Sequence, residues 1–151
     1  MERKTGFWVF EVFPDKAKDS RQMKESGKSK KETQDRLGQK GEDLAYRYLK
    51  RLGYKILERN YKTPLGEIDI VARLGKTLIF VEVKTRNSSE FGTAKWAVTI
   101  QKQRKLSMLA LDYLKRNSLN DQSARFDVVA VDLTPTGEKI ELFQNAFDLA
   151  Y

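Results

Sequence analysis

The chain has 151 residues, with 29 Lys and Arg against 21 Asp and Glu, which gives a formal net charge of +8. This length fits one ordinary domain with a tail, and the positive surplus suits a polyanionic partner such as nucleic acid or an acidic membrane surface. Cysteine and histidine are both absent, which excludes disulfides, thiolate zinc sites and any catalytic site with a histidine base. A catalyst in this chain must therefore use carboxylates, Lys, Tyr or Ser, with or without a hard metal ion. The lack of Cys also fits a cytoplasmic protein.

Residues 1–36 are predicted to form a flexible basic extension, and residues 37–151 the folded domain. Residues 7–13 are mostly apolar, but Glu11 interrupts them and no small-residue cleavage site follows, so they do not resemble an export signal. They fit a docking peptide, a strand added at a sheet edge, or a translation-start artefact. Residues 15–36 are polar and mixed in charge, so they bury too little surface to offset the entropy lost on ordering. No segment is long enough to span a bilayer.

The first half of the predicted domain contains one helix and three strands. Apolar residues at helical spacing predict a helix over residues 37–52, and Gly53 is a good residue to end it. Three strands follow, with short turns between them, at residues 54–61, 67–72 and 77–84. The short turns predict an antiparallel meander, and the nearly continuous apolar run in the third strand predicts a central position in the sheet.

The second half adds the connection that decides the topology. We expect a polar loop at residues 85–93, a short helix at 94–98, and a longer helix from Thr99, as N-cap, to about Asn117. Two further strands are predicted at residues 125–132 and 139–143. A strand, a crossover helix and another strand imply a parallel pair with a right-handed connection. The order α-β-β-β-α-β with a trailing strand therefore predicts an α/β fold, in which helices flank a mixed sheet with an antiparallel meander and a parallel fourth strand.

Charged residues stand out at the ends of the two central strands. Because side chains alternate along a strand, Glu82 and Lys84 are predicted to share one face, and Asp69 to lie opposite Ile68 and Ile70. Two carboxylates about 4 Å apart repel by about 4 kcal/mol at an effective dielectric constant of 20. A fold that holds Asp69 beside Glu82 therefore needs a compensating cation, and both Lys84 and a bound Mg²⁺ meet that need.

This pattern favours a nuclease site that uses Mg²⁺ or Mn²⁺. A metal ion lowers the pKa of a bound water and screens a phosphate, while Lys84 would orient the water, accept its proton or stabilise the charged phosphate in the transition state. The alternative is a salt-bridged strand edge, in which Lys84 pairs with Glu82 or Asp69 at the surface. An E-x-K triplet alone is a weak signal. The pattern is much more specific when an Asp and a hairpin turn precede an apolar strand that ends in E-x-K.

Several longer motifs stand in a characteristic order: Gly41-Glu42-Asp43-Leu44-Ala45, Gly53-Tyr54, Arg59-Asn60, Gly66-Glu67-Ile68-Asp69, Phe80-Val81-Glu82-Val83-Lys84-Thr85-Arg86, Arg125-Phe126-Asp127-Val128-Val129 and Asn145-Ala146-Phe147. Together they resemble the YraN-like family of bacterial proteins, which are predicted endonucleases. That family is similar to archaeal Holliday-junction resolvases and belongs to the restriction-endonuclease-like fold. The resemblance covers about residues 37–147 and implies a metal-dependent endonuclease of the PD-(D/E)XK type, acting on DNA and including branched or structured DNA among its candidate substrates.

The resemblance also implies roles for single residues. Asp69 and Glu82 match the metal-binding carboxylates, and Lys84 matches the lysine of the E-x-K element. Glu42 matches a helix-borne Glu that approaches the metal, although a Glu on an exposed helix is more often only solvated. Ile68 stands where the motif often has Pro, a position where replacement is common.

Basic and polar residues near this site are predicted to contact phosphate. They are Arg86, Gln101, Lys102 and Lys105, with Arg104 beside them, and the N-terminus of the second long helix would add backbone N–H groups. A charged solvent-exposed face is the alternative, favoured for Arg104 and Lys105 taken singly. Phe91 and Trp96 suit stacking on bases or wedging a junction, but single aromatic residues more often pack inside the protein.

Three functions stay open on these grounds. The leading one is a metal-dependent nuclease acting on DNA. Its rival is a nuclease-fold module that binds nucleic acid or a protein partner without cleavage, and the third is a basic protein at a membrane surface. The sequence does not distinguish DNA from RNA, branched from linear substrates, or a monomer from a homodimer.

Overall fold

The structure is a computed structural model. It describes the backbone of residues 16–87 and 98–151, and the side chains of residues 29–87 and 98–151. The chain divides into two compact units, Met1–Gln34 and Asp35–Tyr151, and the sheet and the candidate site belong to the second. The apolar run near the N-terminus, most of the loop and short helix predicted before Thr99, and both Phe91 and Trp96 lie outside the described residues. No helix in the described part is long and apolar enough to cross a membrane.

The elements follow the predicted order. They are α1 (Lys16–Arg51), β1 (Lys55–Thr63), β2 (Gly66–Leu74), β3 (Thr77–Arg86), α2 (Ile100–Arg116), β4 (Ala124–Thr134) and β5 (Gly137–Phe147). Every strand is longer than predicted, and β3 continues two residues into the predicted loop. The N-cap prediction is confirmed, because the Thr99 side chain accepts a hydrogen bond from the Lys102 backbone N–H.

The start of α1 differs from its prediction. The helix begins at Lys16 and not near residue 37, so the predicted start is wrong. Residues 16–36 are rich in Lys, Glu, Gln and Arg, which have good helix propensity, yet they carry no apolar periodicity that would reveal a helix. The side chains of residues 29–36 are exposed. The flexibility assigned to residues 1–36 stays a prediction.

Within the described residues, five strands form one sheet in the order β1-β2-β3-β4-β5. All neighbouring pairs are antiparallel except β3 and β4, which run parallel and are connected through α2. The predicted α/β class and mixed sheet are therefore confirmed, and the arrangement is consistent with a restriction-endonuclease-like core.

Each face of the sheet carries its own apolar cluster. On one face, α2 packs through residues such as Leu106 and Leu109 against Phe80 and its neighbours. On the other face, the C-terminal half of α1 packs through Ala45 and Leu49 against a second set of strand residues. Burial of each large apolar side chain stabilises the fold by about 1.5–3 kcal/mol, so the two clusters hold β3 firmly between the helices.

The alternation of side chains breaks at Asp69 in β2. Ile68 belongs to the cluster under α2, whereas Ile70 belongs to the cluster under α1, although residues two apart in a regular strand share a face. The prediction that Ile68 and Ile70 lie together on the face opposite Asp69 is therefore wrong. The neighbouring strand is irregular at the same level, because Asn60 has a φ of +54° between the residues that pair with Ile68 and Ile70. The chain thus rotates at Asp69, where the candidate site begins.

Candidate active site

Asp69 lies where β2 separates from β3. The last paired residues of the two strands at this end are Ile70 and Val81, and one residue further Asp69 Oδ2 accepts a hydrogen bond of 2.7 Å from the Val83 backbone N–H. The carboxylate therefore replaces the carbonyl oxygen that a continuing strand pair would have offered to this N–H. This contact orients Asp69 toward the end of β3 that carries Glu82 and Lys84.

Glu82 is a buried carboxylate with two lysines close to it. It is 7% exposed, with its Oε1 at 3.9 Å from Lys84 Nζ and its Oε2 at 3.0 Å from Lys102 Nζ. Among the described residues, Oε2 has no hydrogen-bond partner of acceptable geometry, so the contact with Lys102 is an ion pair without hydrogen-bond alignment. Glu82 therefore has charge compensation but an unused acceptor.

The predicted sharing of a face by Glu82 and Lys84 agrees with the packing. Phe80 belongs to the cluster under α2, while Val81 and Val83 belong to the cluster on the opposite face. Glu82 also contacts Lys102 of α2 directly. The E-x-K residues thus point to the side of the sheet that α2 covers.

The electrostatic environment of Asp69 is that of a crowded acidic site. Burial of the Asp69 carboxyl and then the charge of Glu82 raise its pKa from 3.8 to about 7, and Glu42 adds to the increase. The hydrogen bond from Val83 and the charge of Lys102 oppose this increase in pKa. Asp69, Glu82 and Glu42 are therefore within electrostatic reach of each other.

Glu42 reaches this region because of the glycine that precedes it. Gly41 in α1 is buried, and a Cβ at this position would overlap Thr85 Oγ1 and lie 2.8 Å from Thr85 Cβ, a distance that real Cβ contacts essentially never show. Only glycine lets α1 approach the end of β3 this closely, and the approach places Glu42 near Asp69. This close contact between α1 and β3 was not predicted from the sequence.

The donor set suits a hard divalent cation that keeps most of its water ligands. Such a cation takes one or two carboxylates and several waters, and Asp69 and Glu82 supply two neighbouring carboxylates, one of which has an oxygen without an aligned hydrogen-bond donor among the described residues. In the part of the chain that the structure describes, no group of three or more acidic side chains is arranged to hold a metal ion. The assignment of Glu42 as a third ligand stays a prediction.

The residues predicted to contact phosphate occupy different places. Lys102 is in the carboxylate site itself, whereas Lys105 is exposed one turn further along α2 and lies against Gly66. Gln101 is exposed at the start of α2, and Arg86 is the last residue of β3. The contact of Lys102 with Glu82 had no local signal in the sequence, since it depends on where the crossover places the start of α2.

A second buried acidic group was also not predicted. Asp127 in β4 is fully buried and accepts hydrogen bonds from the Arg125 guanidinium, the Tyr54 hydroxyl and the Asn145 backbone N–H at 2.9–3.1 Å. Gln144 donates to the same Tyr54 hydroxyl. The sequence offers one signal, because Arg125 and Asp127 are two residues apart on a strand and so share a face.

Comparison with known proteins places the chain in a family. Residues 41–131 match the family described as "Uncharacterised protein family UPF0102". A UPF0102 protein of Geobacter sulfurreducens is 53% identical over 116 residues, which cover 76% of this chain and 91% of the relative. One from Syntrophus aciditrophicus is 51% identical over 116 residues (77% and 91%), and one from Geotalea daltonii is 48% identical over 131 residues (85% and 100%). The chain therefore belongs to the uncharacterised protein family UPF0102, the YraN-like family that its motifs resemble.

Proposed function

We propose that this protein is a metal-dependent nuclease that hydrolyses phosphodiester bonds in DNA, with Asp69 and Glu82 as the ligands of a Mg²⁺ or Mn²⁺ ion. The observation that carries the proposal is a pair of crowded carboxylates with an unused buried acceptor at Glu82 Oε2. Burying such charges costs several kcal/mol per ion unless a partner compensates. A protein that needed them only for stability would gain by completing their hydrogen bonds.

Each residue of the site has a definable task in this reaction. A bound divalent cation would lower the pKa of a water and neutralise part of the phosphate charge. The Val83 backbone N–H holds the Asp69 carboxylate in a fixed orientation. Lys84 Nζ lies 3.9 Å from Glu82 Oε1, where it would orient the attacking water or stabilise charge on the phosphate. Glu42 is proposed to add negative charge from α1.

Nucleic acid is the substrate class that the charge of the protein supports. The net charge of +8 favours association with a polyanion, and Lys102, Lys105, Gln101 and Arg86 are proposed to contact its phosphates. DNA, including branched DNA, is proposed on the family resemblance alone, since the names of the relatives state no activity. A homodimer and a cytoplasmic location stay predictions.

The proposal is tested by a cleavage panel. Single-stranded, duplex, flap and four-way-junction substrates are incubated with Mg²⁺ or Mn²⁺, with purified Asp69→Ala and Glu82→Ala as variants and Asp121→Ala, an exposed Asp, as the matched control. We expect each site variant to lose cleavage by at least about a hundredfold, since the metal supplies several kcal/mol of stabilisation to the transition state. Both site variants should still bind DNA, and Asp121→Ala should retain the wild-type cleavage activity. Metal-dependent cleavage by Asp69→Ala at the wild-type rate would refute the assignment.

One observation favours a non-cleaving module as the second candidate. Lys102 already stands 3.0 Å from Glu82 Oε2, so a lysine compensates the acidic pair without any metal. Calorimetric titration with Mn²⁺ separates the two candidates, because the nuclease needs metal binding that Asp69→Ala and Glu82→Ala abolish. If the wild-type protein shows no such binding even with DNA present, the non-cleaving module is favoured.

A further inference from the structure

A cavity of about 330 Å³ lies between the β1–β2 turn and the first turns of α2. We infer that it binds a backbone phosphate of the nucleic-acid strand, next to the scissile phosphate that a metal ion at Asp69 and Glu82 would bind. The inference rests on the proposed function, to which it adds the place where the neighbouring part of the strand is held. The cavity is lined by Lys62, Thr63, Gly66, Glu67, Lys102 and Lys105.

The charge of this cavity suits a phosphate. Three lysines line it against one carboxylate, Glu67, which forms an ion pair of 3.4 Å with Lys62. Both partners of that ion pair are more than half exposed, so their attraction is weak and easily exchanged for another anion. In the described part of the chain, no carboxylate pairs with Lys105. The cavity is therefore positively charged and has an ammonium group available.

The β1–β2 turn is closed by its own hydrogen bond, and its backbone leaves room for the Lys105 side chain. Gly66 has a φ of +142°, and a Cβ there would overlap the Lys105 side chain, with Lys105 Nζ at 2.9 Å. Lys105 thus lies across the bare backbone of Gly66. Thr63 closes the turn, because its Oγ1 accepts a hydrogen bond of 3.1 Å from the Leu65 backbone N–H. Groups that are already ordered lose less entropy on binding, which favours a phosphate site.

The position of the cavity connects it to the carboxylate pair. Lys102 lines the cavity and at the same time stands 3.0 Å from Glu82 Oε2, so one side chain forms the wall between the two places. The first turn of α2 also contains no acidic residue, and its N-terminal dipole favours anions. A strand whose scissile phosphate lies at Asp69 and Glu82 would therefore meet the lysines of the cavity with an adjacent phosphate.

The test uses duplex DNA without divalent metal, so that cleavage plays no part. Lys62→Gln and Lys105→Gln are combined in one variant, and Lys115→Gln, exposed in the last turn of the same helix, serves as the control for the loss of a charge. We expect the double variant to lose about tenfold in affinity at moderate salt. In a plot of log K against log salt concentration, the slope of the double variant should be smaller in magnitude than that of the wild type by about 0.9, the value for one phosphate contact. Lys115→Gln should retain the wild-type slope.

The outcomes separate this inference from the proposed nuclease activity. An unchanged slope in the double variant, or an equal loss in Lys115→Gln, would overturn the phosphate site even if the wild-type protein cleaves DNA in an Asp69-dependent manner. A reduced slope in a protein that cleaves nothing would support the phosphate site and remove the nuclease assignment. A wild-type protein that does not bind DNA at all would overturn both.

Discussion

Two sites in the described part of this domain treat their carboxylates in opposite ways. Asp127 in β4 is fully buried and receives hydrogen bonds from two atoms of the Arg125 guanidinium, from the Tyr54 hydroxyl and from a backbone N–H. Asp69 and Glu82 have one backbone donor and nearby lysines, and Glu82 Oε2 has no aligned donor among the described residues.

The difference indicates what each place is for. A buried carboxylate with its acceptor positions filled stabilises a structure, and hydrogen bonding to Asp127 accordingly raises the pKa of Arg125 above its usual value. A buried carboxylate without an aligned donor, beside a second carboxylate, is costly, and at Glu82 Oε2 the charge of Lys102 offsets that cost without an aligned hydrogen bond. Burial alone therefore does not identify a site. An open acceptor alone does not identify one either, because Asp132 in β4 is also buried with an oxygen that has no hydrogen-bond partner among the described residues. What distinguishes Asp69 and Glu82 from Asp127 is the open acceptor together with a second carboxylate beside it.

The largest expected effect is on stability. Asp127→Ala removes one partner of a buried ion pair and leaves Arg125 without its charge partner, so we expect a loss of about 3–5 kcal/mol in the free energy of unfolding. Asp69→Ala removes a carboxylate that is poorly compensated. We therefore expect this variant to lose far less free energy of unfolding than Asp127→Ala, or to gain some. Urea denaturation of the two variants, without divalent metal, measures both values. Equal losses would abolish the distinction between the two places.

The next effect concerns pH. In the metal-free folded protein the pKa of Asp69 is about 7, whereas it is about 3.9 in an unfolded chain. Between pH 4 and pH 7 the Asp69 carboxyl therefore stays protonated in the folded protein but ionises in the unfolded chain. Its contribution to stability is greatest below pH 4 and is lost as pH rises toward 7. The change is on the order of 2–4 kcal/mol.

The measurement compares the pH dependence of unfolding in the wild-type protein and in Asp69→Asn. The variant cannot ionise at this position, so its stability should exceed that of the wild type progressively from pH 4 to pH 7. Asp121→Asn provides a control for the removal of an exposed Asp. Parallel profiles for the wild type and Asp69→Asn would show that Asp69 ionises normally and would weaken the contrast with Asp127.

The sequence predicted the features of the fold that depend on short segments. The order of the elements, the parallel pair and the N-cap at Thr99 follow from periodicity, turn residues and capping, which are local. The start of α1 was not predicted, because the sequence of residues 16–36 carries no apolar periodicity. The rotation of β2 at Asp69 was not predicted either, because it depends on the register with β1 and on Asn60 opposite.

The same division holds for the candidate site. Asp69, Glu82 and Lys84 are recognisable because their spacing around a hairpin is characteristic, and the structure brings Lys84 to Glu82. The contact of Lys102 with Glu82 spans a crossover connection, so no window of sequence contains it. The network around Asp127 likewise joins residues from the α1–β1 connection, β4 and β5, and only the folded sheet brings them together.

The smallest expected effect tests what the lysine does at the acidic pair. Lys102 stands 3.0 Å from Glu82 Oε2, where its charge competes with an incoming divalent cation. Lys102→Gln should therefore bind Mn²⁺ about fivefold more tightly at pH 8, which corresponds to about 1 kcal/mol for an ion pair of this exposure. Lys105→Gln, one turn further along α2 and without a contact to Glu82, should leave the Mn²⁺ affinity unchanged in calorimetric titration. Tighter Mn²⁺ binding in Lys102→Gln, but not in Lys105→Gln, would mean that Asp69 and Glu82 form a metal site in which Lys102 occupies the position of the metal ion. Weaker binding would mean instead that Lys102 organises the pair, and the open acceptor of Glu82 would then have to be explained without a metal.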